Sequence, residues 1–252
     1  MKLDIFICTR GALPWVKKCF DSLLPTVPKG TTVLVFDNPL STIDGTRAYV
    51  QALEAEGKVK CSYSERDTWH GSTIDHAIER SDAEWLLVMD SDVEIKNGDW
   101  FELARRAVEA NPRARLIARS RFMPLGAEGI AMGPVYGRIV LPAIETWFFL
   151  VNRKFVIDNR LSFTRIDFLA DRASHTMSAL PGKLTQFSKF QLMGDTAWMV
   201  FWSASSQRVF SEMPEELYRC HYHHWAKSTQ FERQLRDEQP ELMKQRPEIF
   251  MG

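Results

Sequence analysis

Leu86-Leu87-Val88-Met89-Asp90-Ser91-Asp92 is the stretch that decides the fold. Its first four residues are apolar without alternation, which is typical of a strand buried on both faces of a parallel sheet. Two carboxylates separated by one small residue follow at once, so the strand end directs both toward whatever lies beyond the sheet. A plain turn is the simpler interpretation of the same residues, because Asp and Ser favour turns.

The chain before and after this stretch alternates between strand and helix patterns. Apolar or β-branched runs typical of strands occur at residues 2–8, 31–36, 59–63 and 85–89, and amphipathic spacing typical of helices occurs at 14–24, 46–56, 72–80 and 99–110. The alternation predicts an α/β fold with a Rossmann-like, mostly parallel sheet flanked by helices. Ligands of such sheets bind beyond the carboxyl ends of the strands.

Every predicted strand in this part of the chain ends in polar residues. They are Thr9-Arg10, Asp37-Asn38, Glu65-Arg66-Asp67 and Asp90-Ser91-Asp92. Because the carboxyl ends of parallel strands meet at one edge, we expect these side chains to form the working face of the sheet.

The second half of the chain has a different pattern and predicts a smaller mixed region. Residues 122–142 read as irregular, as a loop or a hairpin over the site. Strand patterns follow at 145–151, helical patterns at 154–159 and 194–205, and a hairpin or two short strands at 209–213 and 217–223. From residue 227 onward the chain is charged and Gln-rich, with a helical segment at 231–235.

Composition excludes several classes of protein. The chain has 252 residues, 45% hydrophobic and 25% charged, which is ordinary globular usage and rules out a disordered or fibrous chain. Lys+Arg and Asp+Glu both number 32, so no basic excess indicates a nucleic-acid partner, although a nucleobase stays possible as an acceptor. Four scattered cysteines without a CxxC pair predict reduced thiols and no zinc site. No leader or membrane-spanning stretch is evident, so we expect a cytoplasmic protein.

Four of these segments together resemble a known family. Thr9-Arg10, Asp37-Asn38, the helix at residues 72–78 and Asp90-Ser91-Asp92 are similar to the nucleotide-sugar half of family-2 glycosyltransferases of the GT-A fold. The resemblance implies that the ends of the first two strands hold the nucleoside. It implies that Asp90, Ser91 and Asp92 bind a divalent metal and the donor diphosphate. Carboxylate oxygens are ligands that Mg2+ and Mn2+ favour.

Helix 72–80 and the residues before it supply two further candidates. Where the family often carries an Arg-Asn pair, this chain has Ile74-Asp75, so Asp75 is the candidate for a nucleoside contact. Gly71 could let the backbone approach the diphosphate, although a glycine there is more often only a turn.

The resemblance continues in the second half. Met193-Gly194-Asp195-Thr196 is similar to the family's Glu-Asp-Thr motif, which implies that Asp195 deprotonates the acceptor hydroxyl. A helix N-cap is an equally good interpretation of Asp195, and the two roles are compatible.

The histidines of His221-Tyr222-His223-His224 resemble a late strand whose histidine completes the metal shell in some GT-A enzymes. His223 is the first candidate and His221 the second, because alternate residues of a strand share one face. A packing role for the cluster is the alternative.

These observations predict a glycosyltransferase that uses Mn2+ or Mg2+. It would move a sugar from a nucleoside diphosphate donor, with UDP favoured, to an unidentified acceptor with inversion. Residues 1–115 would bind the nucleotide sugar, residues 116–229 the acceptor, and residues 230–252 would form a charged tail. A nucleotidyltransferase and a non-catalytic nucleotide-sugar-binding module are the alternatives.

Overall fold

The computed structural model describes residues 1–124, 140–164, 197–225 and 227–247. Its centre is a seven-stranded sheet with the strand order β10-β6-β9-β4-β1-β2-β3. The strands are β1 (Leu3–Thr9), β2 (Val33–Asp37), β3 (Lys60–Tyr63), β4 (Trp85–Asp90), β6 (Leu116–Ala118), β9 (Phe148–Asn152) and β10 (Phe210–Glu212). Six of the seven run in one direction, and only β9 runs antiparallel to its neighbours β4 and β6. The predicted mostly parallel α/β sheet is confirmed.

Helices cover both faces of the sheet, as the alternating pattern predicts. They are α1 (Leu13–Leu23), α2 (Thr46–Ala55), α3 (His70–Arg80), α4 (Trp100–Ala110), α5 (Arg153–Asp158), α6 (Trp198–Ser206), α7 (Glu215–Tyr218), α8 (Lys227–Glu238) and α9 (Pro240–Gln245). Strand β4 shows the two-sided burial: Trp85, Leu87 and Met89 join the core under α1, α2 and α4. Leu86 and Val88 join the core under α3 and α6. Burial of both faces explains why this strand carries no polar alternation.

Two small ladders lie outside the main sheet. Strand β5 (Val93–Ile95) pairs antiparallel with β11 (His221–His223), and β7 (Ser120–Pro124) pairs antiparallel with β8 (Val140–Ile144). The second ladder confirms the hairpin interpretation for the ends of segment 122–142, whose middle lies outside the described residues.

Of the two alternatives predicted for residues 209–213 and 217–223, a hairpin or two short strands, the structure confirms two short strands. The two runs do not form a hairpin, because β10 pairs parallel with β6 while β11 pairs with β5. Residues 215–218 form the short helix α7 instead of the start of a strand. Propensity alone favoured a strand there, and the long-range partners decide otherwise.

Helix α8 places part of the predicted charged tail against the domain. Leu235 is buried against Leu40, and Phe231 packs beside them. The ring of Phe231 also covers Gly11, where a Cβ atom would lie 2.4 Å from it. The segment from residue 227 therefore packs over the loop between β1 and α1.

Candidate metal and nucleotide-sugar site

Strand β4 carries Asp90 to the edge at which the parallel strands end. Asp90 is the last residue of β4 and lies opposite Cys8 of β1, while Thr9 lies opposite Asp37 of β2. The predicted convergence of strand ends is therefore present. Ser91 and Asp92 follow in a turn before β5.

Pairing of β5 with β11 brings His223 to the same edge. His223 is opposite Val93, next to Asp92 along the chain. Its Nε2 atom lies 3.1 Å from Asp92 Oδ1 and 3.9 Å from Asp90 Oδ2. One ligand atom from each of the three side chains lies within 4.8 Å of the other two. Residues more than 130 positions apart in the chain thus form one compact cluster.

Asp92 is held more firmly than Asp90. Its side chain is buried, its Oδ2 accepts a 2.8 Å hydrogen bond from the Lys227 backbone N–H, and its backbone oxygen accepts one of 3.0 Å from His224. Burial raises the pKa of the Asp92 carboxyl, but the bonds from His223 and Lys227 outweigh it and leave the pKa below its usual value. Asp92 therefore stays ionised near neutral pH and links three chain segments.

Asp90 faces the solvent-accessible side of the cluster. Its carboxyl is 29% exposed, and Oδ1 lies 3.3 Å from His70 Nε2 at the start of α3. Two carboxylates and one imidazole form a donor set that fits Mn2+ well and Mg2+ less closely, since imidazole is a borderline ligand. Asp90, Asp92 and His223 are thus the residues that could hold a divalent cation.

The cluster forms one wall of a cavity of about 380 Å³, which lies in the range of small-ligand sites. The lining residues are Cys8, Arg10, Asn38, Asp67, Thr68, Trp69, His70, Asp90, Ser91, Asp92, His223, Trp225, Thr229 and Glu232. Six of the residues predicted for the site, Arg10, Asn38, Asp90, Ser91, Asp92 and His223, are among them.

Arg10 and Asn38 are fixed by neighbours within the cavity wall. The Arg10 guanidinium donates to both oxygens of Asp67, at 2.9 and 2.6 Å, and also pairs with Glu232 of α8. Asn38 Oδ1 accepts a 2.9 Å bond from the Thr68 backbone N–H. Two carboxylates therefore already balance the charge of Arg10.

Thr9 and Asp37 do not reach the cavity, contrary to the prediction. Both are fully buried, and Thr9 Oγ1 donates a 2.7 Å hydrogen bond to Asp37 Oδ1. Arg47 Nε donates to the other oxygen of Asp37 at 2.6 Å. Burial raises the pKa of Asp37, although Thr9 and Arg47 oppose that shift. This buried network fixes the end of β2 behind the cavity wall.

Gly71 and Asp75 serve the packing of a loop and also lie outside the cavity lining. A Cβ atom on Gly71 would lie 1.9 Å from the Phe163 carbonyl oxygen, so only glycine allows the loop to pack on α3. Asp75 accepts hydrogen bonds from the Phe163 backbone N–H at 2.8 Å and from the Thr164 hydroxyl at 2.8 Å. In this structure both residues contact the segment 162–164, and their diphosphate and nucleoside contacts stay predictions.

His221, the second candidate for a metal ligand, lies apart from the cluster of Asp90, Asp92 and His223. Its ring stacks on Phe148 with centroids 4.0 Å apart and meets the edge of Tyr218. Burial, with His223 adding to it, lowers the pKa of His221 to about 4. His221 is a neutral packing residue, which is the alternative that the sequence left open.

The predicted base Asp195 lies outside the described residues. The structure adds cavity residues that the sequence analysis did not single out, among them Trp225 and Glu232. No local pattern in the charged segment from residue 227 distinguishes Glu232 as a site residue, because an ordinary solvent-exposed helix has the same composition. Its role follows only from the docking of α8.

Residues 4–122 match the model of glycosyl transferase family 2. This is just under half of the chain, and it covers the strands and motifs that carried the resemblance. The resemblance to family 2 is thus confirmed over that part. No curated protein matches the sequence.

Several solved structures are similar to part of this chain. TarS residues 1–349 of S. aureus in complex with UDP-GlcNAc is 18% identical with a TM-score of 0.49, and 65% of this chain covers 49% of that one. The mannosyltransferase PcManGT from Pyrobaculum calidifontis, in complex with GDP-Man and Mn2+, is 13% identical with a TM-score of 0.49. The match covers 65% of this chain and 47% of that chain. This chain thus spans about half the length of these proteins. None of the helices within the described residues is long and apolar enough to cross a membrane.

Proposed function

We propose that this protein is a metal-dependent glycosyltransferase that transfers a sugar from a nucleoside diphosphate donor, UDP-linked by preference, to an acceptor nucleophile. The observation that carries the proposal is the cluster of Asp90, Asp92 and His223 in the wall of the cavity. The family match of residues 4–122 supports it, since that stretch contains both carboxylates.

The three residues of the cluster would hold Mn2+ or Mg2+. When bound, the cation would offset the negative charge on the leaving diphosphate. Asp92 is already ionised and oriented by His223 and the Lys227 amide, so little reorganisation is needed when the cation enters. Asn38 and Ser91 line the same cavity and supply polar contacts for the donor.

Asp195 is proposed as the base that takes the proton from the acceptor, with inversion at the anomeric carbon. Removal of a general base costs about 100- to 10,000-fold in rate. Asp195→Asn is therefore expected to lose turnover while donor affinity stays unchanged. Normal turnover in that variant would exclude Asp195 as the base.

The division into a donor-binding half at 1–115 and an acceptor-binding half at 116–229 remains part of the proposal. Segment 230–252 needs a revised role within it, because Glu232 lines the cavity and pairs with Arg10. We therefore assign α8 to the donor side.

The packing of Phe231 disfavours the nucleotidyltransferase alternative. That class usually binds phosphates with an open glycine-rich loop after the first strand. Here the only glycine of that loop, Gly11, lies under the ring of Phe231. A non-catalytic binding module has the same site, so only turnover separates it from an enzyme.

A thermal-shift panel of UDP- and GDP-sugars, each with and without Mn2+, tests the proposal. A donor at 100 times its Kd stabilises the folded state by about 2.7 kcal/mol, or roughly 5–10 °C for a chain of this size. The shift should require the cation and should be lost in Asp90→Asn. Release of free UDP or GDP from the stabilising donor then distinguishes an enzyme from a binding module. A panel without any cation-dependent shift would contradict the proposal.

A further inference from the structure

Trp225 is an exposed aromatic residue inside the candidate site. It follows β11 directly before α8 and lines the cavity together with Asp90, Asp92 and His223. Its side chain is 58% exposed, the largest value among the big apolar residues that the structure describes. Trp side chains are mostly buried in folded proteins, so an exposed one within a polar cavity points to a ligand.

The backbone of Trp225 is held in a disfavoured conformation. Its φ is +54°, in the left-handed region that bulky residues rarely adopt. Both flanks are fixed on Asp92: the His224 N–H donates to its backbone oxygen at 3.0 Å, and the Lys227 N–H donates to its carboxylate at 2.8 Å. The same aspartate that belongs to the metal cluster therefore sets the position of Trp225. Strain of this kind is concentrated at functional sites.

The indole contacts two other rings in tilted geometry, with interplanar angles of 59° to Trp147 and 43° to His223. Its centroid lies 4.8 Å from that of Trp147 and 5.0 Å from that of His223, and Trp147 stacks on His223 at 4.7 Å with an interplanar angle of 17°. The three rings form a rigid wall next to the carboxylates. A pre-positioned flat surface loses little entropy when a second flat group packs on it.

We propose that Trp225 is the platform on which a sugar ring stacks during the reaction, a role that rests on the proposed function. A pyranose has an apolar C–H face and a hydroxylated edge, and the wall offers an aromatic face beside the polar side chains of Thr68 and Thr229. In a nucleotide sugar the sugar is bonded directly to the diphosphate, whereas a ribose separates the base from it. The ring nearest His223 is therefore the transferred sugar or the acceptor sugar that receives it.

Tyr222 provides a matched control on the same strand. It is 55% exposed but does not line the cavity, and it contacts His224 and Lys96 instead. Removal of its ring changes the exposed aromatic surface by a similar amount without altering the wall beside the cluster.

Calorimetric titration of Trp225→Ala, Trp225→Leu and Tyr222→Ala tests the proposal. The probes are UDP and GDP, each compared with its sugar-linked forms in the presence of Mn2+, together with cellotriose, maltotriose and chitotriose. Stacking of one ring corresponds to about 3- to 10-fold in affinity. If the donor sugar stacks, both Trp225 variants should bind the sugar nucleotide with an affinity lower by that factor and should bind the bare nucleotide with unchanged affinity. If the acceptor stacks, they should weaken only the oligosaccharide. Tyr222→Ala should match the wild type throughout.

Unchanged affinities of the Trp225 variants for every sugar-containing probe that the wild type binds would overturn the inference. Trp225→Leu keeps the apolar bulk without the flat face, so it gives the answer where Trp225→Ala does not fold. A wild type that binds no nucleotide sugar with Mn2+ overturns the proposed function and this inference together. A wild type that binds the donor, with Trp225 variants that bind every sugar nucleotide and every oligosaccharide as the wild type does, overturns this inference alone.

Discussion

Replacement of Asp92 by asparagine separates its two roles in the molecule. The carboxylate belongs to the metal cluster, and it also joins the turn after β4 to β11 and to the start of α8. Asp90 belongs to the same cluster but is part-exposed and faces the cavity. We therefore expect Asp92→Asn to lose both Mn2+ affinity and stability, and Asp90→Asn to lose mainly Mn2+ affinity.

The magnitude follows from the contacts that the substitution weakens. Asp92 is 6% exposed, and hydrogen bonds to a charged group contribute about 1.5–3 kcal/mol each. Asparagine can still accept one bond from the Lys227 N–H, so we expect a net loss of about 2 kcal/mol. In a domain of this size that lowers Tm by about 4–8 °C. Loss of a ligand should weaken Mn2+ binding by more than about 100-fold. Substitution of a residue that only hydrogen-bonds to a metal ligand already lowers metal affinity by about 10- to 100-fold.

The assay is thermal unfolding in EDTA combined with calorimetric Mn2+ titration of the same preparations. Glu94→Gln is the control for Mn2+ binding, because Glu94 lies in β5, two residues after Asp92, and pairs with Lys18, Lys96 and His224 rather than with the three residues of the cluster. Wild-type Mn2+ affinity in Asp92→Asn would refute the assignment of the ligands. Equal losses of Tm in the two aspartate variants would refute the structural role of Asp92.

Three further predictions concern other parts of the molecule. Gly71→Ala should destabilise the fold by about 1–3 kcal/mol in urea unfolding, because the new Cβ would lie 1.9 Å from a carbonyl oxygen of the loop packed on α3. His223→Ala should weaken Mn2+ binding and also lower Tm, because it removes the partner of the buried Asp92 and the ring that stacks on Trp147. His221→Ala should lower the unfolding free energy by about 2 kcal/mol through lost ring packing and leave Mn2+ binding intact. Burial raises the pKa of the Glu232 carboxyl, but the pairing with Arg10 and with Arg236 lowers that pKa by a larger amount, so the net shift is downward. The stability from that shift is present above the ordinary Glu pKa of about 4.3 and lost as pH falls through the lower folded value, so the Tm gap between wild type and Glu232→Gln should shrink below about pH 4.

Each of these predictions has a result that counts against it. Gly98→Ala is the control for Gly71, since the nearest atom to its Cβ position is 3.5 Å away, and an equal loss in both variants would exclude the steric reason. Reduced Mn2+ affinity in His221→Ala would restore His221 to the ligand set. A Tm gap for Glu232→Gln that stays constant between pH 3 and pH 7 would show that the ion pair with Arg10 does not lower the Glu232 pKa.

Most of the central sheet could be predicted because its signals are local. Helix α1 carries its period within 11 residues, and burial of β4 on both faces leaves a continuous apolar run. Strand β5 was missed for the opposite reason. It has only three residues and exists through its pairing with His221–His223, far along the chain. A segment that short carries no period of its own.

The site residues could be predicted where a strand end fixes their position. Asp90 and Asp92 were identified because a strand end fixes where they point, and Asn38 and Arg10 follow the same rule. The rule fails at Thr9 and Asp37, since alternate residues of a strand end point to opposite faces and Arg47 closes over the buried carboxylate. Sequence spacing ranked His223 first and His221 second on one face of a strand, and the structure separates them further, because the His221 ring stacks on Phe148.

The amino-acid sequence by itself determined the sheet, its working edge and the two carboxylates, because hydrophobic period and strand polarity act over short distances. The tertiary structure alone decided which histidine joins them, that Glu232 of α8 pairs with Arg10, and that the indole of Trp225 stands beside the cluster. These features depend on the packing of segments more than 100 residues apart, and that packing is set by the summed burial and hydrogen bonding of the whole fold rather than by any local pattern.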